Sequence, residues 1–271
     1  MRRYLIVLAI ALVASTACAN SQPNAQKQQQ DPVSLIAGFR ARAESVGTAR
    51  LSMTGTVSAQ GQSLNISGSG LTNFKDRFGS ITMTMSGLPQ VGNLKMELIF
   101  SGTTIYMKLP AALRAQAGSQ FNKPWIKMDL SKVAGGANPF GSSSTSDPTA
   151  FLDMLSSVSS NVHSAGTLRL DGVTTTEYDA DIDLNKAAAN YPESTKKLIE
   201  QFKTANGSTL PVKVWIGDDK LVRRESFSWK LSSSGTAATM DMQIDLSDYG
   251  VAVFETLPAS SEVQVFTPPS Q

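Results

Sequence analysis

The chain has 271 residues, 41% hydrophobic and 17% charged, which is enough for a sizeable core and too apolar for wholesale disorder. One cysteine excludes an intrachain disulfide scaffold or a multi-cysteine zinc site, and one histidine excludes two-histidine metal motifs. With 24 basic against 22 acidic residues, nothing in the balance suits a nucleic acid.

Met1-Arg2-Arg3 is a basic start, Tyr4 to Ala14 is an apolar run, and Ser15-Thr16-Ala17 supplies small residues. This is the layout of a signal peptide over residues 1–17. The run is too short to span a bilayer, which takes about 20 residues. Thr16-Ala17-Cys18 fits a lipobox, with Cys18 as the expected lipidation site. Ser15 stands where Leu is usual, and Ser15-x-Ala17 equally suits cleavage that releases a soluble protein. Residues 18–30 then form a polar tether, because 19–30 hold no large apolar residue.

The expected folded domain covers 31–266, with 267–271 as a tail. Asp31-Pro32 is a helix start, and Leu35, Ile36, Phe39 and Val46 carry the helix to about Gly47. Period-2 strands follow: Leu51 to Val57, Leu64 to Gly70, Ile81 to Met85, Leu94 to Phe100 and Ile105 to Leu109. Ala111 to Gln116 suits a helical turn or two, and Trp125 to Leu130 a short strand. Residues 134–147 are rich in Gly and Ser and read as a loop. Asp147-Pro148 repeats the helix start, with Phe151, Leu152, Met154, Leu155 and Val158 as the apolar stripe. Strands resume at Leu168–Leu170 and Tyr178–Leu184, a helix is expected at about 191–204, and strands follow at Val212–Ile216, Leu221–Leu231 and Met240–Leu246. Gly47-Thr48-Ala49-Arg50-Leu51 and Gly166-Thr167-Leu168-Arg169-Leu170 suggest an internal duplication, which five matching residues support only weakly.

About eleven strands with one apolar face each imply an α+β fold: a single-domain antiparallel half-barrel with helices on the concave face. Aromatic residues are 7% of the chain, whereas nine methionines fall on predicted apolar faces. Methionine adapts to varied apolar partners, so a lipid-sized cavity is the expectation and ordinary core packing the bland alternative. The expected lining is Leu51, Met53, Ile66, Ile81, Met83, Met85, Met96, Leu98, Met107, Met128, Met154, Leu155, Ile182, Val214, Met240 and Met242.

Catalytic and metal signals are weak. No G-x-S-x-G occurs, and His163 falls between an expected helix and strand, where a surface role is ordinary. Asp179, Asp181 and Asp183 form D-x-D-x-D, but Leu184 stands where a calcium loop needs Gly, so these read as the solvated side of a strand. Arg223 and Arg224 beside Lys220 suit lipid phosphates, a partner or plain surface, and Trp215 beside Lys213 suits a membrane interface or plain surface.

Many short motifs resemble one family. They are Trp125-Ile126-Lys127-Met128-Asp129-Leu130-Ser131-Lys132, Asp147-Pro148 through Leu155, Val162-His163-Ser164-Ala165-Gly166-Thr167, Asp171-Gly172-Val173 through Tyr178, Leu210-Pro211-Val212-Lys213-Val214-Trp215-Ile216-Gly217, Leu221-Val222-Arg223-Arg224, Asp248-Tyr249-Gly250-Val251 and Pro268-Pro269. Over roughly 33–269 the chain resembles the LppX/LprAFG family of mycobacterial and actinobacterial envelope lipoproteins. That resemblance implies a half-barrel similar to the LolA/LolB carriers, with a hydrophobic cavity for acyl chains and movement of lipid across the envelope. It brings no catalytic residues.

The expected function is therefore a non-enzymatic carrier of an acylated lipid or glycolipid, without cofactor or metal. Its membrane contact is the anchor at Cys18 on the outer face of the cytoplasmic membrane, and without acylation the chain would be secreted. A membrane transporter or other envelope proteins are the expected protein partners. The runner-up is a structural or signalling adaptor lipoprotein with a filled core and no lipid cargo.

Overall fold

A computed structural model of the chain describes residues 31–88, 92–117, 121–129, 155, 157–189, 193–233, 236–253 and 256–266. Asp31 opens the fold as an N-cap: its carboxylate accepts the backbone N–H of Ser34 at 3.1 Å, and Pro32 occupies the first turn, where its missing N–H costs nothing. Helix α1 (Pro32–Ala37) and helix α2 (Phe39–Val46) stand where one continuous helix is expected. Gly38 separates them, with ψ of −1° against about −42° in a regular helix.

Alternation of apolar and polar residues then produces two runs of strands. The first comprises β1 (Thr48–Ala59), β2 (Gln62–Asn73), β3 (Phe78–Leu88), β4 (Gly92–Ser101), β5 (Thr104–Lys108), helix α3 (Ala111–Ala117) and β6 (Trp125–Asp129). The second comprises β7 (Val158–Leu170), β8 (Val173–Asp183), helices α4 (Leu184–Ala189) and α5 (Glu193–Asn206), β9 (Thr209–Gly217), β10 (Val222–Ser233) and β11 (Thr236–Ser247). A 3-10 turn at Ser260–Glu262 leads into β12 (Val263–Val265). Tight turns fix the hairpins: Asp171 and Gly172 join β7 to β8 at φ of 46° and 81°, the left-handed pair of a type I′ turn.

All twelve strands form one open sheet in the order β12-β6-β5-β4-β3-β2-β1-β11-β10-β9-β8-β7. Each run is a meander of antiparallel neighbours, and β1 joins the two by pairing antiparallel with β11, Met53 opposite Ile244. Among the described residues only β12 pairs in parallel, against β6. The sheet has one strand more than expected because the three-residue β12 is too short to show alternation.

Helix contacts concentrate on one half of the sheet. α1 packs on β7, α4 on β8, and α5 on β9 and β10. Leu35, Ile36, Phe39, Leu184, Ala187, Ile199 and Phe202 from the helices join Ile182, Leu210, Val212, Val214, Phe227 and Trp229 from the strands in one core. Phe202 meets Trp229 edge-on at 5.8 Å, and Trp229 Nε1 donates to the Pro211 carbonyl at 3.1 Å. At one end Phe39 packs edge-on against Phe74 at 6.1 Å, and Phe74 stacks on Tyr249 at 6.3 Å. The Tyr249 hydroxyl donates to the Val222 carbonyl at 2.6 Å, so this half-buried ring has its polar end satisfied.

Several expectations change. Val158 opens β7 instead of closing an amphipathic helix, and His163 lies within β7 instead of between elements. The 134–147 loop and Met154 fall outside the described residues. Leu184 begins α4 instead of extending a strand, because Asp183 Oδ1 accepts the backbone N–H groups of Asn185 and Lys186 at 2.8 and 3.2 Å and caps the helix. The two Gly-Thr motifs are not equivalent: Gly47 follows helix α2 ahead of β1, whereas Gly166 sits at a register shift inside β7.

Trp229 anchors the helix-covered half. Replacement by Ala should lower stability by about 3–5 kcal/mol, the usual range for a buried large aromatic, measured by urea unfolding.

Candidate functional site

Antiparallel register aligns the apolar positions into rows that cross the sheet. One row runs Leu246, Leu51, Gly70, Ile81, Leu98, Met107, Ile126. The next runs Glu225, Ile244, Met53, Gly68, Met83, Met96. A third runs Phe227, Met242, Gly55, Ile66, Met85, Leu94.

Burial divides these rows. Leu51, Ile81, Leu98, Leu155, Ile182, Val214, Met240 and Met242 are buried in the packed core. Met53, Ile66, Met83, Met85, Met96, Met107 and Met128, all on β1–β6, are only half-buried. The expected lining residues thus separate into a packed set and a half-open set. Gly68 sits in the middle of the half-open set; a Cβ there would lie 3.1 Å from Met53 Cγ and 3.2 Å from Met83 Cγ. Ile81 Cδ1 would lie at 3.0 Å from the same Cβ, so the two methionines and Ile81 close over bare backbone, and the half-buried methionines beside them form a shallow methionine trough.

Toward β6 the apolar face deepens into a recess of about 240 Å³ lined by Ile105, Met107, Leu109, Phe121, Ile126, Met128 and Phe266. Every lining side chain is apolar. Phe121 and Phe266 bracket it with ring centroids 6.4 Å apart. Met107 and Met128 were expected here. Ile105 and Ile126 lie on predicted strands, so their pattern was available. Phe121 and Phe266 lie in irregular chain with no period to expose them.

The opposite face carries a larger groove, about 990 Å³, with polar side chains from seven strands. Asn161, His163, Asp179, Asp181, Lys213, Ser226, Ser228, Asp241, Gln243, Thr54, Thr56 and Asn65 line it. Lys213 Nζ lies 2.7 Å from Glu177 Oε1 and 3.1 Å from Asp179 Oδ1, and its hydrogen bonds to Glu177 and then Asp179 raise its pKa. Asp181 accepts from Asn161 Nδ2 at 2.9 Å, and Asp183 caps α4, so the D-x-D-x-D aspartates serve the strand surface as expected. Among the described residues no group of three His, Cys, Asp or Glu side chains converges as a metal site.

Trp215, expected on an exposed face, is only 8% exposed, with the Arg224 guanidinium 5.9 Å above its ring. Arg224 pairs with Asp245, while Arg223 pairs with Asp219 and lies 4.9 Å over Tyr249. Both arginines are engaged within the chain.

No family model matches the chain, and no curated protein matches it. Among solved structures the chain is similar to LprF from Mycobacterium bovis, at 15% identity, covering 84% of this chain and 97% of that one, with a TM-score of 0.44. It is also similar to the Mycobacterium tuberculosis lipoprotein LppX, at 16% identity, covering 83% and 98%, with a TM-score of 0.39.

One residue of the site escaped the sequence reading. Glu225 lies on the apolar parity of β10, ahead of Phe227 and Trp229, and is fully buried. Neither carboxyl oxygen has a hydrogen-bond partner among the described residues. The signal was an acid two residues before a buried Phe, hidden by the register shift between Val222 and Arg224 that resets the strand's parity.

Burial away from water raises the Glu225 carboxyl well above its ordinary range. The folded state therefore holds this proton at pH values where the unfolded chain has released it, and stability falls as pH rises above about 4.5. Glu225→Leu should stabilise the protein at pH 7 by about 1–3 kcal/mol, the usual cost of an unsatisfied buried polar group. The advantage should shrink at pH 4, as thermal unfolding of both proteins at the two pH values will measure.

Proposed function

We propose that the protein is a carrier lipoprotein that holds the acyl chains of a lipid or glycolipid on the apolar face of β1–β6. The observation that carries this reading is the half-buried methionine trough continuing into a recess with wholly apolar walls. The recess alone, about 240 Å³, is below the roughly 300–1,000 Å³ of common ligand sites, so an acyl chain would extend along the trough. Each CH₂ removed from water contributes about 0.8 kcal/mol, and methionine side chains adjust to chains of different shape.

The N-terminal segment supports the same reading. Acylation of Cys18 would anchor the domain at the outer face of the cytoplasmic membrane, and the polar tether would let it stand off the surface. The family that the sequence resembles moves lipid across the envelope without catalysis, and the isolated His163 offers no base for a hydrolase. A membrane transporter would be a fitting donor of lipid.

A second reading, an adaptor that works by protein contact, is favoured by one observation: the larger groove is the polar one. Lipid content separates the two. Protein purified from its host should carry acylated lipid, detected by native mass spectrometry and identified after extraction. Gly68→Leu, which fills the trough floor, should lower the bound fraction at least fivefold while circular dichroism is unchanged. Lipid-free wild-type protein would sink the carrier reading. Cys18→Ala should move the protein from the membrane fraction to the soluble fraction, read by immunoblotting of fractionated cells.

A further inference from the structure

We infer that Glu225 is the polar anchor of the bound lipid, its carboxyl group donating a hydrogen bond to the ester carbonyl at the head end of an acyl chain. This rests on the carrier reading and names the chemistry of its buried end.

Three observations meet at this residue. Glu225 is fully buried and both its oxygens lack a partner among the described residues. It faces the apolar side, paired in register with Val214 on β9 and Ile244 on β11. And it occupies the same cross-sheet row as Met53, Gly68, Met83 and Met96. The trough therefore points along the sheet toward the unsatisfied carboxyl, at the border between the helix-covered half and the half-open half.

Distance fits an acyl chain. From Glu225 to Met96 the row crosses five strand spacings of about 4.8 Å, roughly 24 Å in all. Half the hydrocarbon thickness of a bilayer, the length one chain normally fills, is roughly 15 Å. A chain whose ester end meets the carboxyl thus covers Ile244, Met53 and Gly68, about three strand spacings, and only a longer chain continues over Met83 and Met96.

The position has no structural reason to be acidic. A leucine or methionine would pack against Val214 and Ile244 without leaving polar atoms unmade, whereas a buried group without its hydrogen bond is a standing cost. Costs of this kind persist where binding uses them. An uncharged carboxyl offers one O–H donor, and an ester carbonyl is an acceptor that a methionine-lined surface cannot otherwise satisfy.

The test compares two probes differing only in that group, methyl palmitate and hexadecane, with the full mature chain and its Glu225→Leu and Glu225→Gln variants. Wild type should bind both, and its ester carbonyl stretch should shift to lower frequency in the infrared. Glu225→Leu should bind hexadecane unchanged, lose at least tenfold in affinity for methyl palmitate, and lose the carbonyl shift. Glu225→Gln, which keeps a donor, should retain most of the affinity. Equal methyl palmitate affinity in wild type and Glu225→Leu would overturn the anchor while leaving the carrier reading intact. Failure of wild type to bind either probe would overturn the carrier reading, and the anchor with it.

Discussion

The register between β1 and β11 is the constraint on which the rest depends. Two antiparallel meanders meet at this single pairing, Leu51 opposite Leu246 and Met53 opposite Ile244. Side chains alternate faces with a period of two, so a slip of one residue would turn the apolar face of one meander toward the polar face of the other. With the pairing as it stands, one row of apolar side chains and glycine runs from β11 across to β6 and two more cross from β11 to β4, and the polar positions form the opposite face. Neither the trough nor the polar groove belongs to one hairpin; both are products of this alignment.

Helix coverage then makes the two halves unequal. The helices bring Leu35, Ile36, Phe39, Ile199 and Phe202 to the β7–β10 half, and there the strand residues are fully packed. Met240 and Met242 are buried in that core, whereas Met53, Met83 and Met96, in corresponding faces of β1, β3 and β4, are half-open. The same residue type fills space in one half and lines it in the other. What decides its role is the neighbour above it, which strand periodicity cannot reveal.

That difference explains what was legible in the sequence. Strand existence, the apolar parity of most strands and the cap at Asp31-Pro32 follow from local chemistry and were readable. The aspartates of β8 were readable as a solvated face because Ala180 and Ile182 alternate with them and are buried. Which methionines would be open was not readable, since packing against helices distant in the chain decides it. Nor was the start of β7: Leu155 and Val158 keep a helix-like spacing, yet Val158 opens the strand by pairing with Ile182. Glu225 was visible as a letter but not as a buried one, because the irregular pairing at Val222 and Arg224 breaks the parity that would have placed it inside.

The two faces also differ in what they leave unsatisfied. On the polar face Lys213, Asp181 and Asn161 find partners within the chain. On the apolar face the fully buried Glu225 carboxyl has no hydrogen-bond partner among the described residues. The polar face leaves the buried Trp215 Nε1 without a partner among the described residues, whereas the apolar face leaves both oxygens of a carboxyl group unpaired. Size alone would direct attention to the polar groove. Unpaired chemistry directs it to the apolar face, where the methionine row runs toward a carboxyl group with both oxygens unpaired among the described residues.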